Sequence, residues 1–185
     1  MSSLSRHANV NKDDLQSGNG PETGFRQIHG VALALAIDAD GPLFGVLILG
    51  ESGMGKSLLA IEAINTCRFG RTALIADDIV RIETRGRSYV LSPPQKLSGY
   101  IEARGIGPIP LRALPEGVLS LTIDLAGPHM RMPEPGHFSL STDEPKVPLY
   151  HFQLDAPAPV SRLIALARLI LVDKFADTGT NTQLK

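Results

Sequence analysis

A glycine-rich segment at residues 47–64, LILGESGMGKSLLAIEAI, constrains the fold of this chain more than any other feature. It contains a complete phosphate-binding loop pattern, in which a glycine and four further residues precede Gly-Lys-Ser. An apolar run leads into the loop, as a buried strand would, and apolar residues at helical spacing follow it. Strand, loop and helix in this order predict a site where backbone N–H groups at a helix start cradle a phosphate chain.

Each residue type in the loop has a physical role. Glycines allow the backbone to curl without Cβ clashes, so that its N–H groups point inward. Lys56 would reach the β- and γ-phosphates, and the Ser57 hydroxyl would supply an oxygen to Mg²⁺. The alternative is a glycine-rich turn whose lysine is merely solvated, but the flanking strand and helix argue against it. The predicted nucleotide-binding residues are Gly50, Glu51, Ser52, Gly53, Met54, Gly55, Lys56 and Ser57.

Composition narrows the class of protein further. The chain has 185 residues, 43% of them apolar and none of them Trp, which predicts one domain with an aliphatic core. The net charge of −1 gives no electrostatic reason to expect nucleic acid or a membrane surface as a partner. Cys67 is the only cysteine, so no internal disulfide is expected, and a reducing cytoplasm suits the chain. With neither a signal sequence nor a membrane span in the pattern, we expect a cytoplasmic protein.

A second strand is expected at residues 72–76, directly before Asp77 and Asp78. A strand, a helix and a second strand of this length predict a right-handed crossover, which places both strands in one sheet. Their carboxyl ends then share an edge, and the two acids should lie near Lys56 and Ser57. Adjacent carboxylates beside a phosphate-binding loop can order Mg²⁺ or accept a proton from an attacking hydroxyl. Two solvated acids in a turn are the alternative that the crossover disfavours.

The remaining pattern predicts one α/β domain between two tails. Residues 1–24 and 177–185 are predicted to be flexible tails, and residues 25–176 are predicted to form the folded domain. A strand that contains His29 should pair with the strand entering the loop as a hairpin. The Pro- and Gly-rich residues 127–148 predict an irregular, mobile loop. Further strands are expected at 79–82, 88–91 and 118–125, and a helix at 159–174.

Four segments, in this order and spacing, give the chain a specific resemblance. They are HGV at 29–31, GESGMGKS at 50–57, ADD at 76–78 and IEARGIG at 101–107. Over roughly residues 26 to 135 the chain resembles HPr kinase/phosphorylase, in particular the short alpha-proteobacterial type that has only the catalytic domain. The resemblance implies a P-loop kinase fold with a mixed β-sheet and flanking helices. It also implies an ATP- and Mg²⁺-dependent serine kinase whose substrate is HPr, a phosphocarrier of the phosphotransferase system.

The resemblance also implies roles for individual residues. Lys56 would polarise the phosphates, Asp78 would be the base that deprotonates the acceptor serine, and His29 would be the active-site histidine. Glu102 would be a Mg²⁺ ligand together with Ser57 and Asp77. Arg131 would neutralise charge on the transferring phosphoryl group.

Each of these roles has a structural alternative. His29 could be a half-buried histidine, Glu102 could pair with Arg104 on the surface, and Arg131 could be an ordinary loop arginine. Gly105 and Gly107 are interpreted as backbone requirements, either a positive φ or a close approach.

The chain departs from the family pattern at several points. Leu58 stands where the family usually has an acid, and the region after residue 145 lacks the Gly-Arg-Asn run that serves the phosphorylase reaction. Kinase activity is therefore predicted, and phosphorylase activity is not. The alternatives are a small-metabolite kinase and a non-catalytic nucleotide-binding regulator, although an arginine-rich lid, typical of the former, is missing from 127–148. Family members form hexamers, and the helix at 159–172 could pack between subunits or cover its own sheet.

Overall fold

The computed structural model describes residues 24–94, 99–127 and 134–179, with side chains described as far as residue 172. Within these ranges two helices and eleven strands follow one another along the chain. The helices are α1 (Lys56–Asn65) and α2 (Pro159–Gly179). The strands are β1 (Phe25–His29), β2 (Val31–Leu35), β3 (Phe44–Leu49), β4 (Ala73–Ala76), β5 (Ile79–Arg85), β6 (Ser88–Ser92), β7 (Tyr100–Ala103), β8 (Gly107–Pro110), β9 (Gly117–Asp124), β10 (Gly136–Phe138) and β11 (Val147–His151).

Nine of these strands form one mixed sheet. Its main path runs in the order β1-β5-β6-β9-β3-β2-β4, and β11, which carries β10, also pairs with β9. The β3–β9 and β9–β11 pairs are parallel, whereas the others in the sheet are antiparallel. Strands β7 and β8 form a separate two-stranded ribbon. The predicted α/β fold with a mixed sheet and flanking helices is confirmed.

The strands around the phosphate-binding loop follow the predicted order with one insertion. Strand β2 pairs antiparallel with both β3 and β4, so it lies between them and they run parallel to each other. The carboxyl ends of β3 and β4 therefore share one edge of the sheet, as the crossover rule predicted. The segment predicted as one strand containing His29 is divided at Gly30 into β1, which pairs with β5, and β2. A Cβ at Gly30 would lie 2.8 Å from the Ile48 carbonyl oxygen, so only glycine permits this close crossing.

Strand β2 separates two apolar layers. Leu33 and Leu35 face a cluster that includes residues of both helices, and Ala32 and Ala34 face a second cluster on the opposite side of the sheet. All five residues of β2 are buried, which explains why its sequence is continuously apolar instead of alternating. The phosphate-binding loop thus leaves a sheet that is packed on both faces.

Two predicted boundaries need correction. Part of the segment predicted as an irregular loop is regular, because it contains β10 and the start of β11. Phe138 of β10 is fully buried and meets Tyr89 edge-on at 5.9 Å between ring centroids, and this long-range contact outweighs the local Pro and Gly signals. Helix α2 extends to Gly179, beyond its predicted end at 174. The predicted tail at 1–24 lies almost wholly outside the described residues, and none of the described helices could cross a bilayer.

Candidate active site

The phosphate-binding loop has the backbone that its glycines predict. Gly50, Gly53 and Gly55 have φ values of 140°, 85° and 92°, in the region that side chains with a Cβ rarely adopt. Gly55 precedes the first residue of α1, so the loop ends at the helix N-terminus. Lys56 folds back across the loop and donates hydrogen bonds from Nζ to the carbonyl oxygens of Gly50 (2.6 Å) and Glu51 (2.9 Å).

The pKa of Lys56 depends on its burial and on both acids that follow β4. Burial of the ammonium group lowers the pKa of Lys56, and the nearby carboxylates of Asp78 and Asp77 raise it in part. The net direction is downward. Both carboxylates therefore lie within electrostatic reach of the lysine, as the shared sheet edge predicted.

Asp77 connects three segments of the chain. The Ser57 hydroxyl donates a hydrogen bond to Asp77 Oδ1 over 3.0 Å, and the backbone N–H of Glu102 donates to Asp77 Oδ2 over 3.0 Å. The carboxylate thus fixes the first turn of α1 and strand β7 to the end of β4. Glu102 reaches this junction through its backbone, while the residue as a whole is exposed.

Asp78 occupies a strained turn directly after Asp77. Its φ of 65° and the hydrogen bond from Ile79 N to Asp77 O (2.8 Å) are the features of a three-residue γ-turn with positive φ. Such turns are rare and cluster at functional sites, where the surrounding structure maintains the strain. Gly30 N donates to Asp78 O over 3.1 Å, and His29 Nδ1 lies 3.5 Å from Asp78 Oδ1. The Asp78 side chain is 74% exposed, so an incoming hydroxyl could reach it.

The oxygen atoms at this edge fit Mg²⁺ as a shared ligand set. Mg²⁺ is usually bound by one or two carboxylates together with phosphate oxygens and water. Ser57 Oγ and Asp77 Oδ1 already lie side by side. Within the part of the chain that the structure describes, no three His, Cys, Asp or Glu side chains could hold a metal ion together. Ser57 and Asp77 are the side chains that would hold a metal here, together with the phosphates of a nucleotide.

Two side chains that the sequence pattern did not assign to the loop lie against it. A Cβ at Gly53 would lie 3.1 Å from an Arg104 guanidinium nitrogen, so Arg104 covers the loop instead of pairing with Glu102. A Cβ at Gly55 would lie 2.9 Å from Leu154 Cδ1, in the connection between β11 and α2. The positive charge inside IEARGIG was a usable signal for Arg104, whereas no local pattern pointed to Leu154.

Other predicted residues have mixed outcomes. Gly105, in the turn between β7 and β8, and Gly107, the first residue of β8, have φ values of 82° and 106°, which confirms the predicted backbone requirement. Arg131 lies outside the described residues. Leu58 is exposed beside Ser57, with 68% of its surface accessible.

A phosphate-binding loop on a mixed sheet, with two adjacent carboxylates at the same edge, is the arrangement of a P-loop nucleotide-binding fold. Residues 25–115 match the family model described as the HPr serine kinase C-terminal domain. This domain assignment covers the phosphate-binding loop and both acids that follow β4.

Individual relatives agree with this assignment. An HPr kinase/phosphorylase of Clostridium acetobutylicum is 42% identical over 94 residues, which cover 51% of this chain and 27% of the relative. One of Geobacillus thermodenitrificans is 32% identical over 148 residues, covering 76% of this chain and 43% of the relative. The chain thus spans less than half the length of these curated relatives.

A solved structure has the same fold. The Hpr(Ser) kinase/phosphatase from Coxiella burnetii superposes with a TM-score of 0.65 at 22% identity, covering 85% of this chain and 99% of that one. At this identity the likeness concerns the fold alone.

Proposed function

We propose that this protein is an ATP- and Mg²⁺-dependent serine kinase whose substrate is the phosphocarrier protein HPr. The observation that carries the proposal is that two adjacent acids have different partners and different exposure. Asp77 faces Ser57 of the phosphate-binding loop, and Asp78 is exposed in a strained turn next to His29. The names of the relatives support HPr as the acceptor, because they are described as HPr kinase/phosphorylases.

The loop would supply most of the stabilisation during transfer. Phosphoryl transfer spreads negative charge over the oxygens of the γ-phosphate, and positioned positive groups lower the energy of that state. Lys56 Nζ, the backbone N–H groups before α1 and the guanidinium of Arg104 are the positive groups that this chain offers. Mg²⁺, when bound, would neutralise phosphate charge, with Ser57 and Asp77 as its protein ligands and Glu102 as a further candidate.

Asp78 would act as the general base. A base must lie within hydrogen-bond reach of the proton that it removes, and the exposed Asp78 carboxylate leaves room for a serine side chain. His29, 3.5 Å away, would orient that carboxylate. Proton acceptance by Asp78 would leave the serine oxygen free to attack the γ-phosphate.

A transfer assay tests the proposal. The protein is incubated with γ-labelled ATP, Mg²⁺ and HPr, and in parallel with HPr in which each serine is replaced by alanine. We expect label on one HPr serine, its loss with the corresponding alanine variant, and little transfer by Lys56→Ala. Nucleotide binding without label on HPr would instead indicate a regulator, and label on a small metabolite added in place of HPr would indicate a metabolite kinase. Assembly as a hexamer, a cytoplasmic location and a role for Arg131 remain predictions.

A further inference from the structure

A second acid–histidine pair lies on the other flank of the phosphate-binding loop. Asp124 ends β9 and His151 ends β11, and the two are register partners. Asp124 is also the register partner of Leu49, the residue immediately before the loop. His151 Nδ1 lies 3.5 Å from Asp124 Oδ2, and each side chain is only 25% exposed. The catalytic scheme above uses neither residue.

The two side chains lie within ion-pair distance but form no hydrogen bond with each other. His151 Nδ1 is buried and has no hydrogen-bond partner among the described residues, although it lies within ion-pair distance of Asp124. Asp124 Oδ1 accepts a hydrogen bond from Ala126 N over 2.9 Å, which fixes the carboxylate. A Cβ at Gly127 would overlap the His151 ring, so glycine is required where the chain passes over the imidazole.

The two chain segments that leave this pair both contact the loop. Leu125, directly after Asp124, donates its N–H to Leu49 O over 3.0 Å. A Cβ at Gly50 would lie 3.0 Å from Leu125 Cβ. On the other side, Phe152 N donates to Asp124 O over 2.8 Å, and the chain then reaches Leu154, which packs against Gly55.

We propose that Asp124 and His151 are a positioning pair that holds Leu125 and Leu154 against the first and last glycines of the loop. The pair thereby keeps the loop in the conformation that binds phosphates. The proposal deepens the proposed function and assumes that the loop binds ATP. Partly buried ionisable groups are costly unless they are paired, and here the pairing fixes the relative position of two strand ends. Asp124 and His151 act on the nucleotide only through the loop.

Hydrogen–deuterium exchange of the protein without nucleotide tests this directly. The variants are Asp124→Asn, His151→Gln and the double variant, and Glu116→Gln is the control because it removes a charge from an exposed pair with Arg85. Asparagine can still accept the Ala126 hydrogen bond, so Asp124→Asn removes mainly the charge. We expect exchange at the amides of residues 50–60 to be about tenfold faster in each single variant, with β5 and β6 unchanged. The double variant should be no faster than the single variants, because residues that act as one unit are not additive.

Binding of Mg-ADP, measured by calorimetry, gives a second readout. The Kd should rise about tenfold, while kcat for HPr phosphorylation changes less than about twofold. Unchanged exchange at 50–60, or additive effects in the double variant, would overturn the proposal. Faster exchange throughout the molecule would show a merely structural role and overturn it as well. Failure of the wild-type protein to phosphorylate HPr would contradict the proposed function and leave the exchange result to be judged separately.

Discussion

His29 Nδ1 lies 3.5 Å from Asp78 Oδ1, whereas Asp77, the residue before Asp78, accepts a hydrogen bond from the Ser57 hydroxyl. Two adjacent acids thus have different partners because the backbone turns sharply at Asp78, where φ is 65°. Asp77 is tied by two hydrogen bonds, and Asp78 has an exposed carboxylate. The turn therefore separates a carboxylate that is hydrogen-bonded to α1 and β7 from one that is open to solvent.

Asp78→Asn should abolish transfer without preventing nucleotide binding. Asparagine tolerates a positive φ better than most residues, so the turn should survive. An amide cannot accept the serine proton, and we expect kcat for HPr phosphorylation to fall by about 10² or more. The Kd for Mg-ATP, measured by calorimetry, should stay within about threefold of the wild-type value.

Asp77→Asn is the matched comparison for this experiment. It changes the neighbouring carboxylate to an amide and should raise the Mg²⁺ concentration needed for half-maximal activity, because a carboxylate is the better ligand for Mg²⁺. Near-wild-type turnover by Asp78→Asn would remove Asp78 from the mechanism. Identical Mg²⁺ dependence in both variants would contradict the separation of roles.

The elements around the loop were predictable from local patterns, whereas different roles for the two acids were implied only by the family resemblance. Residues 47–64 carry their own strand, loop and helix signals, and the crossover rule placed Asp77 and Asp78 at the same edge. Which acid faces Ser57 depends on the backbone angle at residue 78, which no composition pattern encodes. The insertion of β2 between β3 and β4 depends likewise on which strands pair, and pairing is a long-range property.

Arg104 illustrates the same limit for side chains. It lies near Glu102 in sequence, and a local reading assigns it to that acid. The fold of the β7–β8 ribbon instead brings its guanidinium over Gly53, some fifty residues earlier in the chain. Contacts of this kind require the packing of one element on another, so they emerge only from the three-dimensional structure.

Arg104→Ala should weaken nucleotide binding. The guanidinium is a positive group beside a loop built to receive phosphate charge, and its removal should raise the Kd for Mg-ATP about fivefold to tenfold. Arg87→Ala is the control. Arg87 is exposed in the turn between β5 and β6, and its replacement makes the same change in net charge. Equal small effects of both substitutions, measured by calorimetry at one ionic strength, would show that Arg104 acts only through the overall charge.

Gly45→Ala should destabilise the strand beneath the loop. Strands β3 and β9 approach so closely that a Cβ at Gly45 would overlap the Val118 carbonyl oxygen, and backbone cannot move away as a flexible side chain can. We expect the free energy of unfolding to fall by about 3 kcal/mol in urea titrations. Gly24→Ala is the control, because nothing lies within 4 Å of the added Cβ and φ is not positive there. A stability change below about 0.5 kcal/mol in Gly45→Ala would show that β3 and β9 can separate without cost.

Cys67 should react with alkylating agents at lower pH in the folded protein than in the unfolded chain. It follows the C-terminal end of α1 and contributes to a cavity of about 260 Å³ together with Thr72, Arg68 and Arg168. Burial raises the pKa of the Cys67 thiol. Hydrogen bonds from the Thr72 hydroxyl and from nearby backbone groups lower it by more, so that the pKa is about 7. Because the pKa of Cys67 in the folded protein lies below that of an ordinary thiol, the thiolate predominates there above about pH 7. The stabilisation that these hydrogen bonds give the thiolate is correspondingly lost as the pH falls through about 7.

The rate of Cys67 alkylation by iodoacetamide, measured by mass spectrometry between pH 5.5 and 9.5, checks this prediction. We expect a midpoint near pH 7 for the folded protein and near pH 8.5 in urea, where the thiol has an ordinary pKa. Thr72→Val removes the hydroxyl that donates to the thiolate, so its midpoint should rise, whereas Thr72→Ser keeps a hydroxyl and should not shift it. If the folded protein reacts with a midpoint above about pH 8, the Thr72 hydroxyl and the neighbouring backbone do not stabilise the thiolate, since burial alone moves the midpoint upward.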